Sequence, residues 1–233
     1  MKKTALVTGA SRGIGFSIAK ALENNFENLI LVAKHKENLE KASSKFNKNP
    51  IIISADLESE KDLLRLVKEV KEKFNNLDLL VNDAGIYAGK KFEKMTLPEI
   101  SKIINLNLKS YYLLTLQLLP LLKKGNNSQI VNISSCAAHA AMYGESLYSA
   151  TKAAVTEFSN VIRKELNESG IRVTTIQPWG VDTYEASQPN LLNADEIGKL
   201  VDFIVNTSSK TQIDLVEISS IKQWRGEKPF WIK

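Results

Sequence analysis

Thr8-Gly9-Ala10-Ser11-Arg12-Gly13-Ile14-Gly15 follows directly on the apolar run Thr4-Ala5-Leu6-Val7 and leads into helical periodicity from about residue 13. Glycines here let the backbone turn tightly, let a pyrophosphate approach a helix N-terminus, and let helix pack on strand. A glycine pattern alone is weak, because strand-to-helix turns use glycine for steric reasons too. Its setting between a first strand and a first helix gives it weight. Gly9, Ser11, Arg12, Gly13, Ile14 and Gly15 are therefore candidate contacts for a dinucleotide.

Outward from this loop, short β-branched or apolar runs alternate with longer stretches of helical periodicity. The expected strands are Thr4–Thr8, Leu29–Ala33, Ile51–Ala55, Leu79–Asn82, Ile130–Ser134, Val173–Gln177 and Leu215–Ile218. Helices are expected at about 13–24, 37–46, 60–74, 97–122, 147–168 and 194–205. The strands are nearly continuous hydrophobic runs, as when helices cover both faces of a parallel sheet. The expected fold is α/β: a Rossmann-type, doubly wound parallel sheet of about seven strands, with residues 1–233 forming one domain. Ligands of such sheets bind beyond the carboxyl ends of the strands, which directs attention to the residues just after each run.

Composition narrows the class. The chain of 233 residues is 43% hydrophobic and 24% charged, the balance of a globular protein. Its net charge of +5 is spread over lysines such as Lys20, Lys41, Lys68, Lys123 and Lys164, without the basic stripe of a nucleic-acid footprint. One cysteine, Cys136, precludes an intrachain disulfide and suits a reducing compartment, so a cytoplasmic location is expected. The apolar run at the start is too short for a signal peptide. The stretch from Ile103 to Leu122 is interrupted by Asn105, Asn107, Lys109, Gln117 and Pro120 and reads as a buried helix rather than a membrane span.

The end of the second strand bears on cofactor choice. An NAD site usually offers a carboxylate to the ribose 2′-hydroxyl there, whereas a 2′-phosphate needs cations. The residues are Val32-Ala33-Lys34-His35-Lys36, with no acid, and Lys34 with Arg12 could neutralise a phosphate. NADP(H) is favoured over NAD(H). Asp56-Leu57, after the third strand, suits acceptance from the adenine amino group, or capping of the next helix.

Tyr148-Ser149-Ala150-Thr151-Lys152 sets a phenol and an ammonium four residues apart on one helix face. A tyrosine of pKa about 10 is a poor acid–base catalyst at neutral pH, and a nearby cation favours its phenolate. The spacing recurs at Tyr87-Ala88-Gly89-Lys90-Lys91, but Gly89 and its surroundings read as a loop. Ser135, at the end of the fifth strand and thirteen residues before Tyr148, supplies a hydroxyl that can bond a substrate oxygen as its charge changes.

With these residues in place the chain resembles the short-chain dehydrogenase/reductase family, from Thr4 to about Thr183. The resemblance rests on the Thr8–Gly15 loop, Asn82-Asp83-Ala84-Gly85, Asn107, Ser135, Tyr148, Lys152 and Pro178 through Thr183. It implies a catalytic set of Asn107, Ser135, Tyr148 and Lys152. Tyr148 would exchange the proton and Lys152 would lower its pKa while holding the nicotinamide ribose. Ser135 would orient the carbonyl, and Asn107 would hold a water linking Lys152 to solvent. Asn82, Ala84, Gly85 and Pro178 would border the cofactor, with Val181 and Thr183 at the carboxamide. The resemblance also implies a homodimer or homotetramer built partly on the helices at about 97–122 and 147–168. Two departures stand out: Asp83 replaces the second asparagine of the family's pair, and Trp179 replaces the glycine after the proline.

The expected activity is interconversion of a small-molecule carbonyl and alcohol with NADP(H), without metal, nucleic acid or membrane. A 3-oxoacyl-thioester reductase is an alternative. A non-catalytic dinucleotide-sensing protein of the same fold is another, although such a protein has no need of Ser135, Tyr148 and Lys152 together. Cys136 reads as a buried thiol and His139 as a loop residue, solvated or touching substrate. Tyr143, Trp179 and Tyr184 either line an apolar pocket or pack ordinarily. The segment from Thr183 to Asn193 is short for a lid, which points to an open site with loose specificity. The aromatic tail Trp224–Lys233 is expected to pack on the domain or a partner subunit.

Overall fold

The computed structural model describes residues 2–183 and 190–224. The six expected early and central strands form as β1 (Thr4–Thr8), β2 (Asn28–Ala33), β3 (Ile51–Ser54), β4 (Leu79–Asn82), β5 (Gln129–Ile133) and β6 (Arg172–Pro178). Two residue pairs, β7 (Val181–Asp182) and β8 (Leu192–Asn193), form a separate ladder too short to leave a period in the sequence. The strand β9 (Leu215–Ile218) closes the main sheet, whose order is β3-β2-β1-β4-β5-β6-β9 with every pairing parallel. The order reverses beside β1, between β2 and β4, and opens the cleft at the carboxyl ends there.

The helices are α1 (Gly13–Ala21), α2 (Lys36–Ser43), α3 (Glu60–Lys73), α4 (Leu97–Ile104), α5 (Ser110–Leu122), α6 (Ala137–Ala140), α7 (Ser146–Leu166), α8 (Ala194–Val205) and α9 (Ile221–Trp224). Alternation along the strands divides their side chains between two apolar layers. Leu6, Ile30 and Leu80 pack with Leu66, Leu118 and Ile162 of α3, α5 and α7. Val7, Leu31 and Val81 pack with Ile18, Leu39 and Ile197 of α1, α2 and α8. Covering both faces explains why the strands read as unbroken apolar runs.

The helix expected over 97–122 is interrupted. Residues Asn105–Lys109 form a π-helical turn, in which the Ser110 N–H reaches back to the Asn105 carbonyl. Every residue of that turn tolerates helical dihedrals, so the pattern of residue types runs through without a break. The region thought to be a loop between Ser135 and Tyr148 contains α6, which ends at Ala141 with φ of 48°.

Buried polar groups stitch the strand ends to the helices. Asn82 Nδ2 donates to Asn132 Oδ1 at 2.8 Å, and Asn132 Nδ2 donates to Ser159 Oγ at 2.8 Å, linking β4, β5 and α7. Thr8 Oγ1 accepts from the Asp83 and Ala84 N–H groups at 2.9 and 3.0 Å, which fixes the glycine loop against the segment after β4. Ser134 Oγ donates to the Lys152 carbonyl at 2.8 Å and sets α7 in register with the end of β5.

Candidate active site

The glycine loop forms one wall of the cleft. Gly9 and Gly13 have φ of 70° and 58°, the left-handed region that side chains resist. A Cβ on Gly9 would meet Asp83 Oδ2 at 2.7 Å, and one on Gly13 would meet Thr183 Cβ at 3.1 Å. Gly9 thus lies against Asp83, and Gly13 against Thr183. Arg12 is exposed at the N-cap of α1, with Ser11, Ile14 and Gly15 around it. Val181 and Thr183 lie partly exposed after Pro178, the last residue of β6.

Several expected contacts have side chains directed elsewhere. The Asn82 side chain is fully buried and bonds Asn132 and Thr115. Leu57 is buried in the core beside α3. Each therefore has its backbone, rather than its side chain, to offer a ligand. Asp56 does not cap α3, since Ser59 is the cap and accepts from the Asp62 N–H. Asp56 instead accepts from the Glu58 N–H at 3.1 Å and pairs with Lys34 at 2.7 Å. The two candidates for opposite ends of an adenosine phosphate are thus partners of each other. Ala84 and Gly85 are more open, and a Cβ on Gly85 would meet Asn107 Oδ1 at 3.3 Å.

At the other wall, Ser135, Tyr148 and Lys152 converge. Ser135 stands two residues past β5, its Oγ accepting from the Ala137 N–H at 3.2 Å. Lys152 is 4% exposed, and its Nζ donates to the Ile133 carbonyl at 2.8 Å while lying 5.8 Å from the centre of the Tyr148 ring. Burial pulls the Lys152 pKa down and the Asp83 carboxylate holds it up, while burial pushes Asp83 itself up.

The expectation that Lys152 depresses Tyr148 is corrected here. Tyr148 is pushed up to about 12, chiefly by burial, while the Ser135 hydroxyl pulls the other way by hydrogen bonding and Glu145 adds to the rise. Desolvation of a phenolate is the dominant cause, and the Lys152 ammonium is directed at the Ile133 carbonyl. Asn107 is fully buried in the π turn, with Nδ2 donating to the Ile86 carbonyl and Oδ1 accepting from the Ile86 N–H, both at 2.9 Å. Its side chain holds the segment after β4.

That segment carries a residue whose place the sequence reading missed. Tyr87 packs edge-on against Tyr148 with ring centroids 5.3 Å apart, and its hydroxyl donates to Glu145 Oε1 at 2.7 Å. The loop position inferred from Gly89 was right, but the loop folds over the phenol. Glu145 gave no sequence signal beyond an acid ahead of a helix.

Other candidates have ordinary placements. Cys136 is buried, with its thiol pushed up to about 11 by burial. His139 Nε2 lies 3.5 Å from Glu217 Oε2, and Trp179 Nε1 donates to Glu217 Oε1. Tyr143 is 85% exposed, with the Lys91 ammonium 5.6 Å from its ring centre. Tyr184, most of the segment considered as a lid, and the tail beyond Trp224 lie outside the described residues. No helix among the described residues is long and apolar enough to cross a membrane.

Comparison with known proteins agrees with this fold. The profile of the short chain dehydrogenase family matches residues 3–191. An uncharacterized oxidoreductase of Staphylococcus saprophyticus is 33% identical over 185 residues, covering 78% of this chain and 79% of its own. A Pseudomonas aeruginosa protein, RhlG, solved in an active-site complex with NADP, is 28% identical and superposes with a TM-score of 0.86, covering 94% of this chain and 96% of its own. An alcohol dehydrogenase of Thermococcus sibiricus, solved with 5-hydroxy-NADP, shares the fold at a TM-score of 0.87 and 24% identity, covering 97% of this chain and 98% of its own. With a family match across most of its length and a doubly wound sheet, the chain belongs to the short-chain dehydrogenase/reductase family of oxidoreductases.

Proposed function

We propose that the chain, acting as one domain, is an NADP(H)-dependent reductase that converts a ketone or aldehyde to an alcohol, with Tyr148 as the proton donor. The observation that carries this reading is the convergence of Ser135, Tyr148 and Lys152 opposite the glycine wall. That wall suits a dinucleotide: Gly9 and Gly13 hold left-handed backbone pressed against Asp83 and Thr183, which keeps the tight glycine turn a pyrophosphate site uses. Gly9, Ser11, Arg12, Gly13, Ile14 and Gly15 would hold the pyrophosphate end, Lys34 the 2′-phosphate, Asp56 the adenine, and Val181 and Thr183 the carboxamide. NADP in the solved P. aeruginosa relative supports the choice of cofactor.

The chemistry that the dinucleotide supplies when bound is hydride exchange at the carbon bearing the oxygen. Ser135 Oγ–H donates to that oxygen and orients it. Tyr148, held as a neutral phenol by its raised pKa, gives its proton to the oxygen as negative charge develops. The buried Lys152 ammonium, 5.8 Å from the Tyr148 ring centre, offsets the charge of the phenolate that remains. Exposed Tyr112, Leu116 and Val161 on α5 and α7 support assembly into a homodimer or homotetramer.

Tyr148→Phe tests the reading. NADPH oxidation across a panel of ketones, aldehydes and a 3-oxoacyl thioester is expected to fall by about a thousandfold, with NADPH affinity retained. Turnover equal to the parent protein's would end the catalytic assignment.

A further inference from the structure

Glu145 is a carboxylate in an unusual position. It is 6% exposed at the N-cap of α7, yet its side chain makes no capping bond to the helix and turns instead to the Tyr87 hydroxyl. Among the described residues no ion pair to it is found, and the Lys152 ammonium is directed at the Ile133 carbonyl. A phenol donor and the helix N-terminus offset part of the cost of burying the charge, but neither supplies a counter-charge. A glutamine would accept the same Tyr87 bond without that cost.

The carboxylate is also one hydrogen bond away from the ring that borders Tyr148. Tyr87, its partner, is 60% exposed and abuts the Tyr148 ring, so a molecule whose oxygen reaches Tyr148 lies beside the Tyr87–Glu145 pair. We propose that Glu145, oriented by Tyr87, recognises the substrate and selects hydroxy or oxo compounds that carry a cationic amine. This rests on the reading of Tyr148 as the proton-transfer residue. The same carboxylate raises Tyr148 and Cys136, although burial is the larger cause at both, and Glu217 raises Cys136 as well. The field of a carboxylate favours an ammonium and opposes a carboxylate or an anionic thioester carrier.

The test is oxidation with NADP+ at neutral pH of two isosteric sets of alcohols. The first is 1-amino-2-propanol, 2-butanol and lactate; the second is 4-amino-2-butanol, 2-pentanol and 3-hydroxybutyrate. In at least one set kcat/KM is expected to be about tenfold or more higher for the amino alcohol than for the neutral alcohol, with the carboxylate slowest. Glu145→Gln, which retains an acceptor for Tyr87, is expected to bring the amine-to-neutral ratio to within about threefold of unity, whereas Tyr87→Phe keeps the charge and the preference. Turnover of the neutral alcohols with no preference for amines, or a preference that survives in Glu145→Gln, overturns the inference and leaves Tyr148 chemistry standing. Absence of turnover throughout overturns both.

Discussion

Lys34 Nζ stands 2.7 Å from Asp56 Oδ2 and 3.8 Å from Glu58 Oε1, so the cation at the end of β2 is shared with two carboxylates of the β3–α3 connection. A 2′-phosphate would have to compete for it. Lys34→Ala is expected to raise the KM for NADPH by about tenfold, since it removes the cation and leaves the carboxylates. Asp56→Asn releases Lys34 and is expected to lower that KM by about threefold. Steady-state kinetics with NADPH and NADH side by side checks both. An equal shift for the two cofactors would remove Lys34 from phosphate recognition.

Asp83 is expected to set the alkaline edge of the activity. Its carboxylate raises the pKa of Lys152 against the pull of burial, and contributes to the rise at Tyr148. Removing the negative charge lets Lys152 give up its proton at lower pH, and lowers Tyr148 in the same direction. Asp83→Asn should therefore move the alkaline limb of the kcat/KM profile down by about one pH unit. An unmoved or upward-moved limb would show that the Asp83 charge does not reach the reaction.

Gly13→Ala should damage both the fold and cofactor binding. The alanine must hold φ near 58° and place its Cβ 3.1 Å from Thr183 Cβ. Left-handed strain alone is about 1–2 kcal/mol, equivalent to a Tm lower by roughly 2–8 °C at this chain length. Thermal melts with and without NADPH separate the two effects: the Tm gained on adding cofactor should shrink as well.

Asn107→Ala should act on the segment that carries Tyr87. It strips the partners from both backbone polar groups of Ile86, at a cost of about 2–3 kcal/mol. A Tm lower by about 4–12 °C is expected. A kcat reduced by about tenfold or more should accompany it, because the wall beside Tyr148 loosens. A normal kcat in a destabilised variant would confine Asn107 to the fold.

The central strands were legible because two helical layers make them uniformly apolar, and the glycine loop because its backbone conformation demands glycine. Tyr148 and Lys152 were legible through Ser135, not through their spacing, which Tyr87 and Lys91 share. What escaped depends on contacts that local patterns do not encode. Glu145 looks like any acid before a helix until Tyr87 folds onto it from 58 residues away. Leu57 and Asn82 sit in the right segments with side chains turned into the core. The pKa of Tyr148 was misjudged because burial, which only the folded state reveals, is its dominant cause.

The π turn at Asn105–Lys109 contains one residue more than an α-helix of equal rise would use, and absorbs the rotation of about 100° that this residue would otherwise give everything after it. Tyr111, Leu114 and Leu118 keep their inward orientation across it. A single-residue deletion between 105 and 109 would yield a regular rod of the same rise and phase, leaving those side chains on the sheet. What it would lose is the turn that carries Asn107 to the Ile86 backbone, so the extra residue serves the wall beside Tyr148 rather than the packing of α5.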